Sequence, residues 1–350
     1  MNISVIIPCR NEKRHICEFL DSLLLQDLEP EWHLEILVAD GLSDDGTRDL
    51  LQQFSERDSR VRMIDNPGRI VSTGLNAAIA TAAGDIIIRM DAHTTYARDY
   101  IRECVNALQE SGADNVGGPW VAEGRGYIGK AIAAAFRSRF CTGGGKAHDP
   151  DYKGEVDTIY LGCWHRSIFA RVGLFDPDLV RNQDDEFNFR LRRMGGRVWQ
   201  SPLIRSSYAP RDSVTALFRQ YLQYGFWKVV VIRKHRALAS WRHLVPVLFV
   251  SWIPLALALI ALAAIVGMSG IAFALSVALA AVLFFYVLAC IAASLPFAGS
   301  LPWRSFVILP GIIAVYHFAY GLGFLSGILK FALRRSAAPA PSRFFTALTR

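Results

Sequence analysis

The sequence predicts an α/β domain with a parallel, Rossmann-like sheet, followed by an α-helical transmembrane region. Strand-like and helix-like stretches alternate from Ile3 onward with about 25 to 30 residues per unit, a spacing that implies right-handed βαβ crossovers. The run Ile86-Ile87-Ile88-Arg89-Met90 is apolar and β-branched and ends abruptly in Asp91 and His93, as a buried strand does when it delivers side chains to the carboxyl edge of a sheet. From Leu244 to Trp303 there is no Asp, Glu, Lys, Arg or His, a composition that belongs in a bilayer.

Taken in order, Ile3 to Ile7 reads as the first strand. It is too short, and too soon followed by Pro8 and charges, for a secretory signal. Glu12 to Leu25 places Ile16, Phe19, Leu20, Leu23 and Leu24 on one helical stripe. Leu34 to Val38 reads as a second strand, followed by an acidic loop from Asp40 to Gly46 and a helix from Thr47 to Phe54. Val61 to Ile64 is a short third strand, and Ser72 to Ala82 a helix ended by Gly84. No GxGxxG opens the first helix, which argues against a dinucleotide site. Cys141-Thr142-Gly143-Gly144-Gly145-Lys146-Ala147 is not a P-loop, because Ala147 stands where a Ser or Thr must meet the metal. Residues 139 to 156 read as a loop that either closes over substrate or simply covers surface.

The net charge of +7 resembles that of a basic protein, but six of the 38 Lys and Arg side chains and none of the 31 acidic ones follow His243. Residues 1 to 243 are therefore almost balanced. The excess belongs to the membrane half and argues for a membrane surface and against nucleic acid. Six cysteines without a CxxC, one of them in the apolar region, indicate neither a disulfide framework nor a zinc site.

Three segments, 245–267, 271–294 and 306–329, are long enough to span, with a hairpin at Met268-Ser269-Gly270 between the first two. They divide the chain into a soluble domain over 1–235, a transmembrane region over 236–330 and a basic tail over 331–350. Lys228, Arg233, Lys234, Arg236 and Arg242 crowd the entry to the first span, placing the soluble domain in the cytoplasm by the positive-inside rule. Three spans then leave the basic tail on the other side, in conflict with the same rule. Either the tail is tolerated there, or the first segment (Pro246, Pro254) or the third (Pro310 and several glycines) is re-entrant.

Acidic side chains gather in three places. Asp40 follows the second strand, where a carboxylate can accept from the imide N–H of a uracil, while Asp44 and Asp45 suit a helix cap. Asp91 and His93, spaced i, i+2, are potential metal ligands for a nucleotide diphosphate at the sheet edge, although an Asp after a strand is commonly a turn former. Asp184-Asp185-Glu186 opens a helix whose one face carries Phe187, Leu191 and Met194. A carboxylate there serves either the helix N-terminus or, with its pKa raised by neighbouring acids, as a general base.

Together these residues resemble the family 2 glycosyltransferases of GT-A fold, and the resemblance covers residues 3 to about 235. Ser4-Val5-Ile6-Ile7-Pro8-Cys9-Arg10-Asn11-Glu12 looks like the family's opening strand and nucleotide loop, the Asp40 loop like its uracil-binding segment, Asp91-Ala92-His93 like its DxD, and Gln183-Asp184 like its ED pair. Within the family, Arg69-Ile70-Val71-Ser72-Thr73, Gly162-Cys163-Trp164-His165-Arg166, the block from Gln183 to Leu191, and Gln220-Tyr221-Leu222-Gln223-Tyr224-Gly225-Phe226-Trp227-Lys228 resemble membrane-bound exopolysaccharide glycosyltransferases of the succinoglycan type. The last block is similar to the QxxRW box of processive synthases but departs from it at Gln223-Tyr224, so polymerisation is not implied.

The resemblance implies an inverting transfer of a hexose from a nucleotide sugar, UDP-glucose foremost, to a polyprenyl-linked saccharide at an inner cell membrane, in concert with other polysaccharide-assembly proteins. Pro8, Arg10, Glu12, Asp40, Arg69 and Asp91 are the implied nucleotide contacts, Trp164, Gln220, Gln223 and Trp227 the acceptor or product contacts, and Asp184 the base with Asp185 and Gln183 in support. The implied cofactor is a divalent cation on Asp91 and His93. Because His93 replaces the family's second Asp, Mn²⁺ is favoured over Mg²⁺. Other expectations remain: a polyprenyl-phosphate or processive synthase of the same fold, a nucleotidyltransferase, and a non-catalytic scaffold of a glycan assembly complex.

Overall fold

The computed structural model describes residues 1–238 and 240–333; the tail from Arg334 on, with Arg335 and Arg343, lies outside the described residues. The chain begins β1 (Asn2–Cys9), α1 (Ile16–Leu24), β2 (His33–Asp40), α2 (Thr47–Arg57), β3 (Val61–Asp65), α3 (Val71–Thr81), β4 (Ile86–Arg89), β5 (Thr94–Tyr96) and α4 (Tyr100–Ser111). It continues with β6 (Asn115–Gly117), β7 (Val121–Ala122), α5 (Gly126–Arg137), α6 (Arg139–Thr142), β8 (Gly154–Glu155), β9 (Gly162–His165), α7 (Ile168–Val172) and α8 (Gln183–Arg193). It closes with β10 (Val198–Gln200), β11 (Ser206–Tyr208), α9 (Val214–His235), α10 (Val245–Ile265), α11 (Ser269–Ser294) and α12 (Trp303–Leu333). Two units divide these elements: residues 1–121 with 145–209, and residues 122–144 with 210 onward.

In the first unit an eight-stranded sheet has the order β3-β2-β1-β4-β9-β6-β10-β8, with a small sheet β5-β11-β7 beside it. The four strands expected from the sequence pair in parallel. The sheet as a whole is mixed, because β9 runs antiparallel to both β4 and β6, and β8 antiparallel to β10. The expectation of a parallel sheet fails at β9, which reaches the sheet after a long excursion without a βαβ crossover to set its direction. Alternation along the strands feeds two cores. Ile3, Val5, Ile7, Ile36 and Val38 pack with α1 and α4, while Ile6, Leu37 and Ile87 pack with α3, Phe187 and Leu191. Met194, expected on the same face as those two, is 53% exposed because the helix has already ended.

In the second unit α9 and α12 lie backbone to backbone: a Cβ on Gly225 would meet the Tyr320 carbonyl at 2.1 Å, and one on Gly323 the Leu222 carbonyl at 2.0 Å. Glycine at such crossings lets two helix backbones approach closely. Among the described residues three helices, Trp241–Ile265, Ser269–Phe297 and Trp303–Phe331, are long and apolar enough to cross a membrane. Pro254 and Pro310 lie inside helices that continue through them. The turn between the first two falls over residues 266–268, slightly before the expected Met268-Ser269-Gly270 hairpin.

Candidate active site

The register of the parallel strands brings several loops to one edge. Cys9 pairs with Asp40, Asp40 with Asp65, and Ile6 with Arg89, so the chain leaves β1, β2, β3 and β4 at neighbouring points. This carboxyl edge is where open α/β sheets bind ligands. The first two loops are stitched together: Asn11 N donates to Ser43 Oγ (2.8 Å), Asn11 Nδ2 to Asp44 Oδ1 (3.0 Å), and Glu12 N to Thr47 Oγ1 (2.9 Å). Pro8 and Arg10 are half-buried beside them. A Cβ on Gly41 would lie 3.2 Å from Arg10 Cβ and 3.3 Å from Arg69 Cα, so the expected nucleotide residues Arg10 and Arg69 converge on the loop that follows Asp40.

Backbone strain is concentrated here. Among the described residues five non-glycine residues have positive φ, and four of them, Asn11 (55°), Leu42 (54°), Arg69 (60°) and Asn182 (62°), lie in the loops after β1, β2 and β3 and at the start of α8. Such conformations cost of order 1–3 kcal/mol each and cluster where a site requires them. Asp40 itself is 0% exposed. It accepts from Ser43 N (3.0 Å), Ser43 Oγ and Arg48 Nη1 (2.7 Å), and Arg48 also reaches Asp65 (2.8 Å). Its carboxylate therefore organises the loop from inside.

Asp91 is 6% exposed and Arg89 3%. Arg89 Nε donates to Asp91 Oδ1 at 3.0 Å and Nη2 to Oδ2 at 3.1 Å, and Tyr160 OH donates to Oδ2 at 3.2 Å. Tyr96 OH accepts from Asp91 N (2.7 Å) and donates to Asp91 O (3.3 Å), fixing its backbone. Burial alone would raise the Asp91 pKa; the Arg89 guanidinium, with His93 and Tyr160, overrides it and holds the carboxyl below the ordinary range. Burial works against the Arg89 charge as well, and Asp91 and then Asp184 more than offset it. His93 Nδ1 lies 3.5 Å from Glu12 Oε1.

Asp184 and Asp185 are half-buried in the first turn of α8, and Gln183 is buried. Their neighbour Glu186 is 1% exposed and committed to Arg190 at 3.0 Å. Trp164 is 2% exposed on β9, with ring centroids 5.6–6.1 Å from Phe169, Phe175 and Phe187. The structure thus puts it in the core. Gln220, Gln223 and Trp227 belong to α9 of the second unit, 7%, 1% and 3% exposed, with Gln220 Nε2 donating to Tyr224 OH at 3.1 Å.

The sequence reading missed two parts of the site. Arg89 stands two residues before Asp91, inside an apolar strand run whose pattern gives it no role in a site. The other is an aromatic group: Tyr160 and His148 stack on Trp120 at 4.9 and 5.5 Å, and Tyr208 meets Tyr160 edge-on at 5.7 Å. No local spacing connects residues 120, 148, 160 and 208.

A divalent cation must be tested against these bonds. A carboxylate offers about four lone-pair positions, and three donors already use Asp91. Among the described residues no three His, Cys, Asp or Glu side chains cluster as a metal site. The donors fit a cation held chiefly by substrate phosphate oxygens, with His93 and one remaining Asp91 position, and not a cage of protein ligands.

Comparison with known proteins gives the family and the fold. The family model for glycosyl transferase family 2 matches residues 4–162. The chain is 34% identical over 244 residues to the succinoglycan biosynthesis protein ExoA of Rhizobium meliloti (strain 1021), covering 69% of this chain and 73% of that one. It is 29% identical over 242 residues to the dolichyl N-acetyl-alpha-D-glucosaminyl phosphate 3-beta-D-2,3-diacetamido-2,3-dideoxy-beta-D-glucuronosyltransferase of Methanococcus voltae, covering 66% and 74%. The mannosyltransferase PcManGT from Pyrobaculum calidifontis, solved with GDP-Man and Mn²⁺, shares the fold at a TM-score of 0.58 and 22% identity, covering 91% of this chain and 86% of that one. With a relative matched over most of both lengths, the chain belongs to glycosyltransferase family 2, whose members transfer sugars with inversion at the anomeric carbon.

Proposed function

We propose that this chain is a membrane-anchored transferase that moves a hexose from a UDP-sugar, UDP-glucose foremost, to a lipid-linked saccharide during exopolysaccharide synthesis. The observation that carries the reading is the convergence of Glu12, Asp91 and His93 at the carboxyl edge of β1 and β4, with Asp184 close enough to act on the charge of Arg89. The relation to a succinoglycan biosynthesis protein supports the pathway class, and the three apolar helices support an acceptor held at a bilayer. Lys228, Arg233, Lys234, Arg236 and Arg242 before the first of them favour a cytoplasmic catalytic unit.

In this reading the base and ribose lie against Pro8, Arg10, Glu12 and Arg69, in a loop whose shape Asp40 maintains. A divalent cation, when bound by His93, Asp91 and the donor phosphates, supplies positive charge to the leaving diphosphate; the Mn²⁺ of the Pyrobaculum mannosyltransferase supports one here. Asp184 takes the proton of the acceptor hydroxyl as its oxygen bonds to C1 and the C1–O bond to UDP breaks. A single displacement of this kind converts an α-donor into a β-linkage.

The test is Asp184→Asn in detergent-solubilised full-length protein given UDP-glucose and a lipid-linked acceptor. Loss of a general base predicts turnover reduced about 10²–10⁴-fold, with UDP affinity retained. Unchanged turnover would remove Asp184 from the chemistry.

A further inference from the structure

The grip of Arg89 on Asp91 bears on how the donor site is loaded. A guanidinium that meets both oxygens of a carboxylate occupies the edge a metal ion would use and makes the pair electrically neutral. Tyr160 takes a third position and Tyr96 fixes the backbone of Asp91, so the carboxylate cannot swing away to find a cation. Meanwhile Arg89 Nη1, in a side chain that is 3% exposed, makes no hydrogen bond at all. A buried donor left unmet is costly, and Asp91 is the group whose hold on Arg89 a phosphate can best contest, since phosphate accepts the same paired N–H groups.

We infer that Arg89 bars the empty donor site from taking up a divalent cation on its own, so that the cation and the nucleotide diphosphate enter together. The diphosphate draws the guanidinium toward itself and satisfies its unmet N–H. Asp91 then regains lone pairs for the cation beside His93. Arg89 is thus a positioning residue: it acts on the cation through Asp91. This rests on the reading of the edge as a UDP-sugar site.

Calorimetry on the detergent-solubilised full chain, with Mn²⁺ alone, UDP alone and the two together, tests it. UDP oxygens attract Mn²⁺ by themselves, so the diagnostic arm is the metal alone. Wild type should bind Mn²⁺ weakly, and Arg89→Gln should bind it at least about tenfold more tightly, because an uncompensated carboxylate at close range attracts a cation. Arg89→Gln combined with Asp91→Asn should lose that gain, which locates it at Asp91. Arg89→Lys keeps the charge but cannot meet both oxygens, and should fall between wild type and Arg89→Gln; it carries the test should the glutamine variant fail to fold. Wild type binding Mn²⁺ as tightly without UDP as with it, or either Arg89 variant matching wild type with the metal alone, overturns the inference. Failure of wild type to bind UDP under any condition would instead overturn the underlying donor-site reading.

Discussion

Asp91→Asn should destabilise the first unit, independently of any effect on transfer. Arg89 and Asp91 are 3% and 6% exposed and joined by two hydrogen bonds. Replacing the carboxylate by an amide leaves one acceptor for Arg89, turns an N–H₂ group toward its other donor, and strands a buried cation. Breaking such a pair from one side costs about 3–5 kcal/mol. At about 2–4 °C per kcal/mol for a unit of this size, the melting midpoint should fall by about 6–20 °C. The assay is tryptophan fluorescence during heating, in detergent, without nucleotide or metal; Trp32, Trp120, Trp164 and Trp199 report on this unit. Adding Arg89→Met to Asp91→Asn removes the stranded cation and should recover much of the loss. The pH dependence has a definite sign: the folded pKa of Asp91 lies below its unfolded value, so its contribution is fully present above the ordinary carboxylate range and is lost as pH falls through the depressed folded value. Asp91→Asn should flatten that acid limb. A single variant melting within about 2 °C of wild type, or a double variant no more stable than the single, would refute the reasoning.

Three other substitutions separate packing from ligand contact. Trp164→Ala should cost about 3–5 kcal/mol of stability, because the indole fills a core among Phe169, Phe175 and Phe187; a change in acceptor KM at unchanged melting temperature would instead place it at the acceptor. His93→Ala should raise the Mn²⁺ concentration that half-saturates binding in the presence of UDP by about 10–100-fold, and His93→Asp should shift preference toward Mg²⁺. Identical metal titrations for the three proteins would take His93 out of the cation site.

How far the sequence could be read follows from where its information is local. The first three strands and first three helices were legible because each is long enough to display its period, and the fourth strand because an unbroken apolar run leads into it: Ile3 to Ile7 alternates between two cores, and Ile16, Phe19, Leu20 and Leu23 form a stripe that is wholly buried. Beyond Met90 the strands are two to four residues long, too short to show any period. The insertion of β9 between β4 and β6 is a tertiary event with no local signature. The same division holds in the site. Asp40, Asp91 and Asp184 are visible as acids at the ends of strands or the start of a helix. Their bonding partners are not, since Tyr160 lies 69 residues from Asp91, and nothing near Asp40 says that Arg48 will pair with it.

Arg89 is the instructive exception, because its partner is close in sequence. Residues i and i+2 of an extended chain project to the same side, so Arg89 and Asp91 were bound to compete for one another before either could serve a ligand. A charged residue in an otherwise apolar run is expensive to bury unless it is paired, and Asp91 is the acid that stands two residues along the same face. An acid after a buried strand is open for metal only if no base precedes it by two. In this chain one does, and the consequence is a site whose charge is cancelled from within where an open DxD would carry negative charge. That cancellation is what makes binding of the metal alone, and not activity of the loaded protein, the measurement that distinguishes a cation drawn in by the protein from one brought in by the donor.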